Sequence, residues 1–145
     1  MKYELGIKIL GKVVHGEHYG KILGFPTANL DRRDYVKKKL KIKHGVYAGV
    51  ALIQNRAPSP FIPLALRRGR GGRGWKAGIV IGPIDSSGLP KIEAHLIGFK
   101  GNLYGKHLNI YLNKYLRPFR KFKDEKALKA QMKKDIKLIE HNLKN

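Results

Sequence analysis

The sequence predicts a mostly β fold, a small antiparallel barrel closed or braced by one C-terminal amphipathic helix. Three features point there. Apolar residues alternate with period two in several short runs, glycine- and proline-rich stretches separate those runs, and only the last segment changes to helical spacing. The chain has 145 residues, which suits a single domain over 1–145. A domain of this size buries roughly 68–70% of its unfolded surface, enough for a core without staples.

The first run, between Leu5 and Val14, places apolar residues at Leu5, Ile7, Ile9, Val13 and Val14. It reads as a strand with a bend or bulge near Gly11. Residues 16–29 hold Gly16, Gly20, Gly24 and Pro26, which exclude a regular helix or a central strand and predict an ordered loop or flap. Residues 31–44 are charged, with sparse apolar positions, and read as a solvated connection with one helical turn. Gly45 opens a strand over Val46–Ile53. Residues 55–75 carry Pro58, Pro60 and Pro63 and then an Arg/Gly run from Arg67 to Gly74, so they read as a low-complexity loop. Strands resume over Ala77–Ile81, over Lys91–Phe99 after the turn Asp85-Ser86-Ser87-Gly88, and over Leu108–Leu112. Leu128, Met132, Ile136, Ile139 and Leu143 then recur at spacings of 4, 4, 3 and 4, the stripe of an amphipathic helix. Asp124 or a neighbour is placed to cap it, with Glu125 in its first turn.

Composition narrows the function. The chain has no cysteine, which excludes disulfides, thiolate metal sites and a cysteine nucleophile. The six histidines show no metal-ligand spacing and read as structural or exposed. No run approaches the length of a membrane span, and the N-terminus lacks the apolar core of a signal peptide, so a cytoplasmic protein without a membrane partner is expected. The formal charge is +21, which attracts polyanions, whether a nucleotide triphosphate or a nucleic acid.

The glycine-rich flap is the most informative stretch. Glycines let backbone N–H groups approach phosphate oxygens, yet neither a Walker A loop nor a Rossmann fingerprint is present. By spacing alone, phosphate binding and a structural turn remain equally open. Thr27 and Asn29 lie two apart, so in an extended segment they project on one side. Their oxygens suit a Mg²⁺ ion also held by nucleotide phosphates, or they cap a turn. Glu93 is the only acidic residue inside any strand predicted after the N-terminal one.

Gly11-Lys12-Val13-Val14-His15-Gly16, followed by Gly20-Lys21-Ile22-Leu23-Gly24-Phe25-Pro26-Thr27-Ala28-Asn29-Leu30, closely resembles the signature of the riboflavin kinase family. The resemblance continues in order through Gly45-Val46-Tyr47-Ala48, Ile81-Gly82-Pro83, Ile92-Glu93-Ala94-His95-Leu96, Leu103-Tyr104-Gly105-Lys106 and Leu116-Arg117-Pro118, then Phe122, Gln131 and Asp135. It implies a six-stranded Greek-key barrel with a C-terminal helix, using ATP and Mg²⁺ to convert riboflavin to FMN. Carried over by motif, Gly16, Gly20, Lys21, Gly24 and Pro26 would form the flap on the nucleotide phosphates. Thr27 and Asn29 would engage Mg²⁺ and phosphate, and Glu93 would be the general base. Arg117, in the family's second mobile loop, would lie near flavin and phosphates. Tyr104 and Tyr47 could stack on the isoalloxazine ring, with barrel packing the simpler use of each.

Two stretches depart from the family pattern: residues 58–75, with their Arg/Gly content, and Arg120. The chain begins at the first barrel strand, so the expectation is a monomeric, monofunctional kinase that makes FMN and not FAD. Two other readings stay in view: a basic β-barrel that binds RNA, with nucleic acid a secondary partner of the kinase, and a flavin-binding barrel without catalysis.

Overall fold

The computed structural model describes residues 6–14, 27–54 and 74–142. The flap residues Gly16, Gly20, Lys21, Gly24 and Pro26, and the loop over 55–73, lie outside them. Among the described residues there are six strands: β1 (Ile7–Val14), β2 (Thr27–Leu30), β3 (Gly45–Gln54), β4 (Gly74–Ile84), β5 (Pro90–Leu96) and β6 (His107–Arg117). Two helices accompany them, α1 (Arg33–Lys37) and α2 (Glu125–Asn142).

The strands close into a barrel in the order β1-β2-β5-β4-β3-β6, with every neighbouring pair antiparallel. Strands β3, β4 and β5 follow one another as neighbours and β6 returns beside β3, which is the Greek key. Closure leaves no exposed sheet edge. Period-two alternation decides which side chains fill the interior: Ala28 and Leu30 of β2 and Ile92, Ala94 and Leu96 of β5 are buried, while their alternates are not.

Several expectations change in detail. Thr27–Asn29, expected in the flap, form most of β2, because Ala28 and Leu30 supply two core side chains to a strand only four residues long. Gly11 makes no bulge: Ile7 through Lys12 pair one for one with Leu112 through His107. The glycine is needed for close packing instead, since a Cβ there would lie 2.8 Å from Leu30 Cδ2. The irregularities fall where β3 meets β6, between Val46 and Tyr47 and between Ala48 and Gly49. There the Tyr111 carbonyl oxygen approaches Gly49 so closely that a Cβ would sit 2.1 Å from it. Gly74 and Trp75 belong to β4, with Trp75 packed edge-to-face on Phe99. The charged connection is not wholly solvated: Tyr35 and Ile42 are buried, and Asp34 Oδ2 accepts the Leu10 N–H at 2.8 Å.

Helix α2 starts as expected. Asp124 Oδ1 accepts the Ala127 N–H at 2.8 Å, an N-cap that satisfies one orphan donor. The apolar stripe then turns towards the outer face of the barrel, where Ile139 is 1% exposed against Ala48 and Val50. Leu128, Met132 and Ile136 lie on the same stripe but meet a cavity rather than the sheet.

Candidate active site

The cavity measures about 770 Å³ and lies between the outer faces of β4 and β5, helix α2 and the segment 117–124. Its walls combine Leu128, Met132, Ile136, Phe119 and Phe122 with the polar side chains of Glu93, His95 and Arg117. Such a mixture of apolar lining and a few convergent polar groups is the usual form of a small-molecule site.

Strand register assembles those polar groups. Ile92, Ala94 and Leu96 point inward, so Lys91, Glu93 and His95 must point outward. Likewise Ala28 and Leu30 commit Thr27 and Asn29 to the outer face. Asn29 pairs with Glu93, Glu93 with Val80, Val80 with Val46, and Val46 with Arg117. One row across four strand junctions therefore carries Asn29, Glu93 and Arg117. The next row carries Thr27, His95 and Gly78. Directly opposed residues place their Cβ atoms about 4.5–5.5 Å apart, and diagonal ones about 7–8 Å. Thr27, Asn29 and Glu93 thus form one cluster, although 64 residues separate Asn29 from Glu93 in sequence.

Arg117 ends β6 rather than lying in a loop, and it is firmly held. Its Nε donates to Asp135 Oδ1 at 3.0 Å and its Nη2 to Asp135 Oδ2 at 2.8 Å. Gln131 Nε2 donates to the same carboxylate at 3.0 Å, and Arg120 Nη2 donates to Gln131 Oε1 at 3.0 Å. The two arginines and the amide tie the 117–124 segment to α2 beside the cavity. Fork-on-carboxylate pairing fixes both position and plane of the guanidinium.

Thr27 Oγ1 and His95 Nδ1 lie 3.1 Å apart. Burial beneath α2 pushes the His95 pKa down to about 4, with the Asp135 charge pulling it up more weakly. The ring is therefore neutral at physiological pH. Between about pH 4 and the ordinary histidine value near 6.5 the unfolded chain binds a proton that the folded chain refuses, so stability falls as pH drops through that window. The expected loss is on the order of 3 kcal/mol, at 1.36 kcal/mol per unit. Urea unfolding from pH 7.5 to pH 4 measures it, and His95→Gln should flatten the slope; an equal slope in the variant would place its source elsewhere. Asp85, held below the ordinary carboxylate range by the Ser87 hydroxyl, then the Ser87 N–H and Arg32, adds a loss only at lower pH.

The donor set constrains what metal could bind. Among the described residues no group of three or more His, Cys, Asp or Glu is arranged to hold a metal ion. Thr27 and Asn29 offer neutral oxygens, which fit a Mg²⁺ that takes its remaining ligands from nucleotide phosphates and water, and do not suffice for a metal held by the chain alone.

Of the residues singled out from the sequence, Thr27, Asn29, Glu93 and Arg117 share one surface. Tyr104 is 53% exposed in the connection between β5 and β6 and does not line the cavity, so neither barrel packing nor a cavity contact describes it. Tyr47 is a core residue, 3% exposed and edge-to-face with Tyr115. Two residues gain a place that the sequence reading did not assign: His95, read as structural or exposed, and Asp135, quoted only as part of a pattern. His95 was accessible in principle, since it lies two residues after Glu93 and must share its face.

Comparison with known proteins gives a concordant result. The sequence model of the Flavokinase family, described as riboflavin kinase, matches residues 4–143. The bifunctional riboflavin kinase/FMN adenylyltransferase of Escherichia coli K12 is 33% identical over 127 residues, covering 88% of this chain and 35% of that protein. The chain thus spans about a third of that relative's length. The RNA-binding riboflavin kinase RibR of Bacillus subtilis is 27% identical over 132 residues, 90% of this chain and 49% of that protein. Among solved structures, the riboflavin kinase of Trypanosoma brucei superposes with a TM-score of 0.68 at 24% identity, covering 95% of this chain and 80% of that one, which bears on the fold.

Proposed function

The chain belongs to the riboflavin kinase family, and on that premise we propose that it transfers the γ-phosphate of ATP to the ribityl 5′-hydroxyl of riboflavin, giving FMN and ADP. The observation that supports the reading is that Glu93, on the cavity wall, pairs with Asn29, with Thr27 in the adjacent row, both of them beside the cavity rather than in its lining. An apolar space of about 770 Å³ under α2 suits a planar, three-ring flavin. Glu93, on the cavity wall, is then the group that accepts the proton of the attacking hydroxyl.

Phosphoryl transfer asks mainly for alignment and charge neutralisation. Thr27 and Asn29 would hold Mg²⁺ together with the phosphates, and the ion supplies charge neutralisation when bound. Gly16, Gly20, Lys21, Gly24 and Pro26, which lie outside the described residues, are assigned to the nucleotide phosphates by the family motif alone, with residues 1–145 acting as one kinase domain. Arg117, at the opposite end of the Glu93 row, contributes from the flavin side, and Tyr104 can reach the flavin only from outside the cavity. Incubation with riboflavin, ATP and Mg²⁺, followed by separation of the flavins, tests this directly. FMN and ADP should appear in equal amounts; an absence of FMN sinks the reading.

One surface favours a second activity beside the first. Lys126, Lys129, Lys133, Lys134 and Lys137 are all exposed on α2, on a chain of net charge +21. Together with a relative named as an RNA-binding riboflavin kinase, this supports RNA binding through phosphate contacts. Affinity for a single-stranded RNA should then fall steeply with salt, with a shallower slope after charge removal at Lys129 and Lys133. A salt-independent affinity would exclude it.

A further inference from the structure

His95 lies directly across from Thr27 on one side and Gly78 on the other. Its Nδ1 is 3.1 Å from Thr27 Oγ1. At Gly78 an added Cβ would lie 3.0 Å from Ile139 Cδ1, so helix α2 packs closely on the strand beside His95. Ile139 and Asp135 of helix α2 line the same cavity as His95. The partly buried residue thus lies at the cavity wall between β2 and β4, with its Nδ1 within hydrogen-bond distance of the hydroxyl expected to face the nucleotide.

We propose that His95 is a positioning residue that sets the direction of the Thr27 hydroxyl, and through it the binding of the metal–nucleotide complex. The inference rests on the kinase reading of the site. A threonine hydroxyl has three staggered positions about χ1, and a partner fixed in the adjacent row selects one of them. A neutral imidazole protonated on Nε2 offers Nδ1 as an acceptor. The Thr27 hydroxyl then spends its proton on the ring and turns its oxygen lone pairs away from it. That is the orientation a Mg²⁺ ligand requires, because a proton directed at the cation would repel it. His95 also lines the cavity assigned to the flavin, so its effect through Thr27 is separated from a change in the cavity wall by the His95→Asn rescue and by the Thr27→Ala background.

The test compares wild type with His95→Leu, His95→Asn, Thr27→Ala and the double variant Thr27→Ala/His95→Leu. Calorimetric affinity for Mg·ADP is read beside KM for MgATP, KM for riboflavin and kcat, with thermal melts as a folding control. His95→Leu should weaken Mg·ADP binding and raise the MgATP KM about tenfold, the equivalent of one lost hydrogen bond. The riboflavin KM should move less than about twofold. His95→Asn, whose side-chain oxygen can take the place of Nδ1, should return to within about threefold of wild type. In the Thr27→Ala background His95→Leu should add less than about twofold, because the two residues act as a unit.

Full Mg·ADP affinity in a folded His95→Leu protein would overturn the proposal, as would losses that multiply in the double variant. If His95→Leu does not fold, His95→Gln carries the same comparison; its amide falls one bond too far for Thr27, so it should lose affinity where His95→Asn retains it. Wild-type protein that binds Mg·ADP but makes no FMN would remove the kinase reading while leaving the His95–Thr27 comparison decided by affinity.

Discussion

Glu93→Gln is expected to lower the rate of FMN formation by about 100- to 10,000-fold, the usual contribution of a positioned general base. The amide keeps the size and the cross-strand pairing with Asn29 and Val80 but cannot accept the hydroxyl proton. Because Glu93 points outward from the barrel, the change leaves Ile92, Ala94 and Leu96 in their core positions, so the melting temperature should move by only a degree or two. The loss should therefore fall in kcat, with KM for both substrates within about threefold. Steady-state kinetics on wild type and variant decide this. Near-normal turnover would mean that another group takes the proton.

Asp135→Ala is expected to cost about 3 kcal/mol of stability, the lower end of the range for stripping one partner from a buried ion pair. Asp135 is 7% exposed and receives three donors, two from Arg117 and one from Gln131. Its loss leaves the Arg117 guanidinium half-buried without its carboxylate, on a chain already carrying +21. Denaturant unfolding followed by circular dichroism measures the cost. Replacing the pair together, Arg117→Met with Asp135→Leu, should recover most of it, since apolar residues of similar volume leave no uncompensated charge. The double variant should still turn over poorly, because Arg117 is then missing from the cavity. If the pair exchange failed to recover stability, the penalty would come from packing of α2 and not from the charge left behind.

Much of this arrangement was legible in the sequence because it depends on local rules. Period-two runs set β1, β3, β4, β5 and β6, and the 4, 4, 3, 4 spacing set α2, with its cap at Asp124. The ordered motifs named the family, and two-residue spacing put Thr27 and Asn29 on one side; His95 shares the face of Glu93 by the same rule, yet in the sequence it reads only as structural or exposed. Less legible were the points where a distant neighbour overrides a local signal. Gly11 looked like a bulge and is a contact for Leu30. Thr27–Asn29 looked like part of a flap and became a strand, because β1 and β5 stand on either side to receive it.

By itself, the sequence determined a single-domain-sized, strongly basic antiparallel β protein with a terminal amphipathic helix, while candidate site residues came only from the resemblance of its ordered motifs to a family. The size, charge, strands and helix are consequences of composition and short-range periodicity. Only the tertiary structure decided that Asn29 stands opposite Glu93, that His95 stands opposite Thr27, and that Asp135 on α2 claims Arg117 at the end of β6. Each of these is a pairing across strands or between helix and sheet. Barrel closure and strand register set the strand pairings, and a slip of one residue in a strand would turn its site side chains to the opposite face.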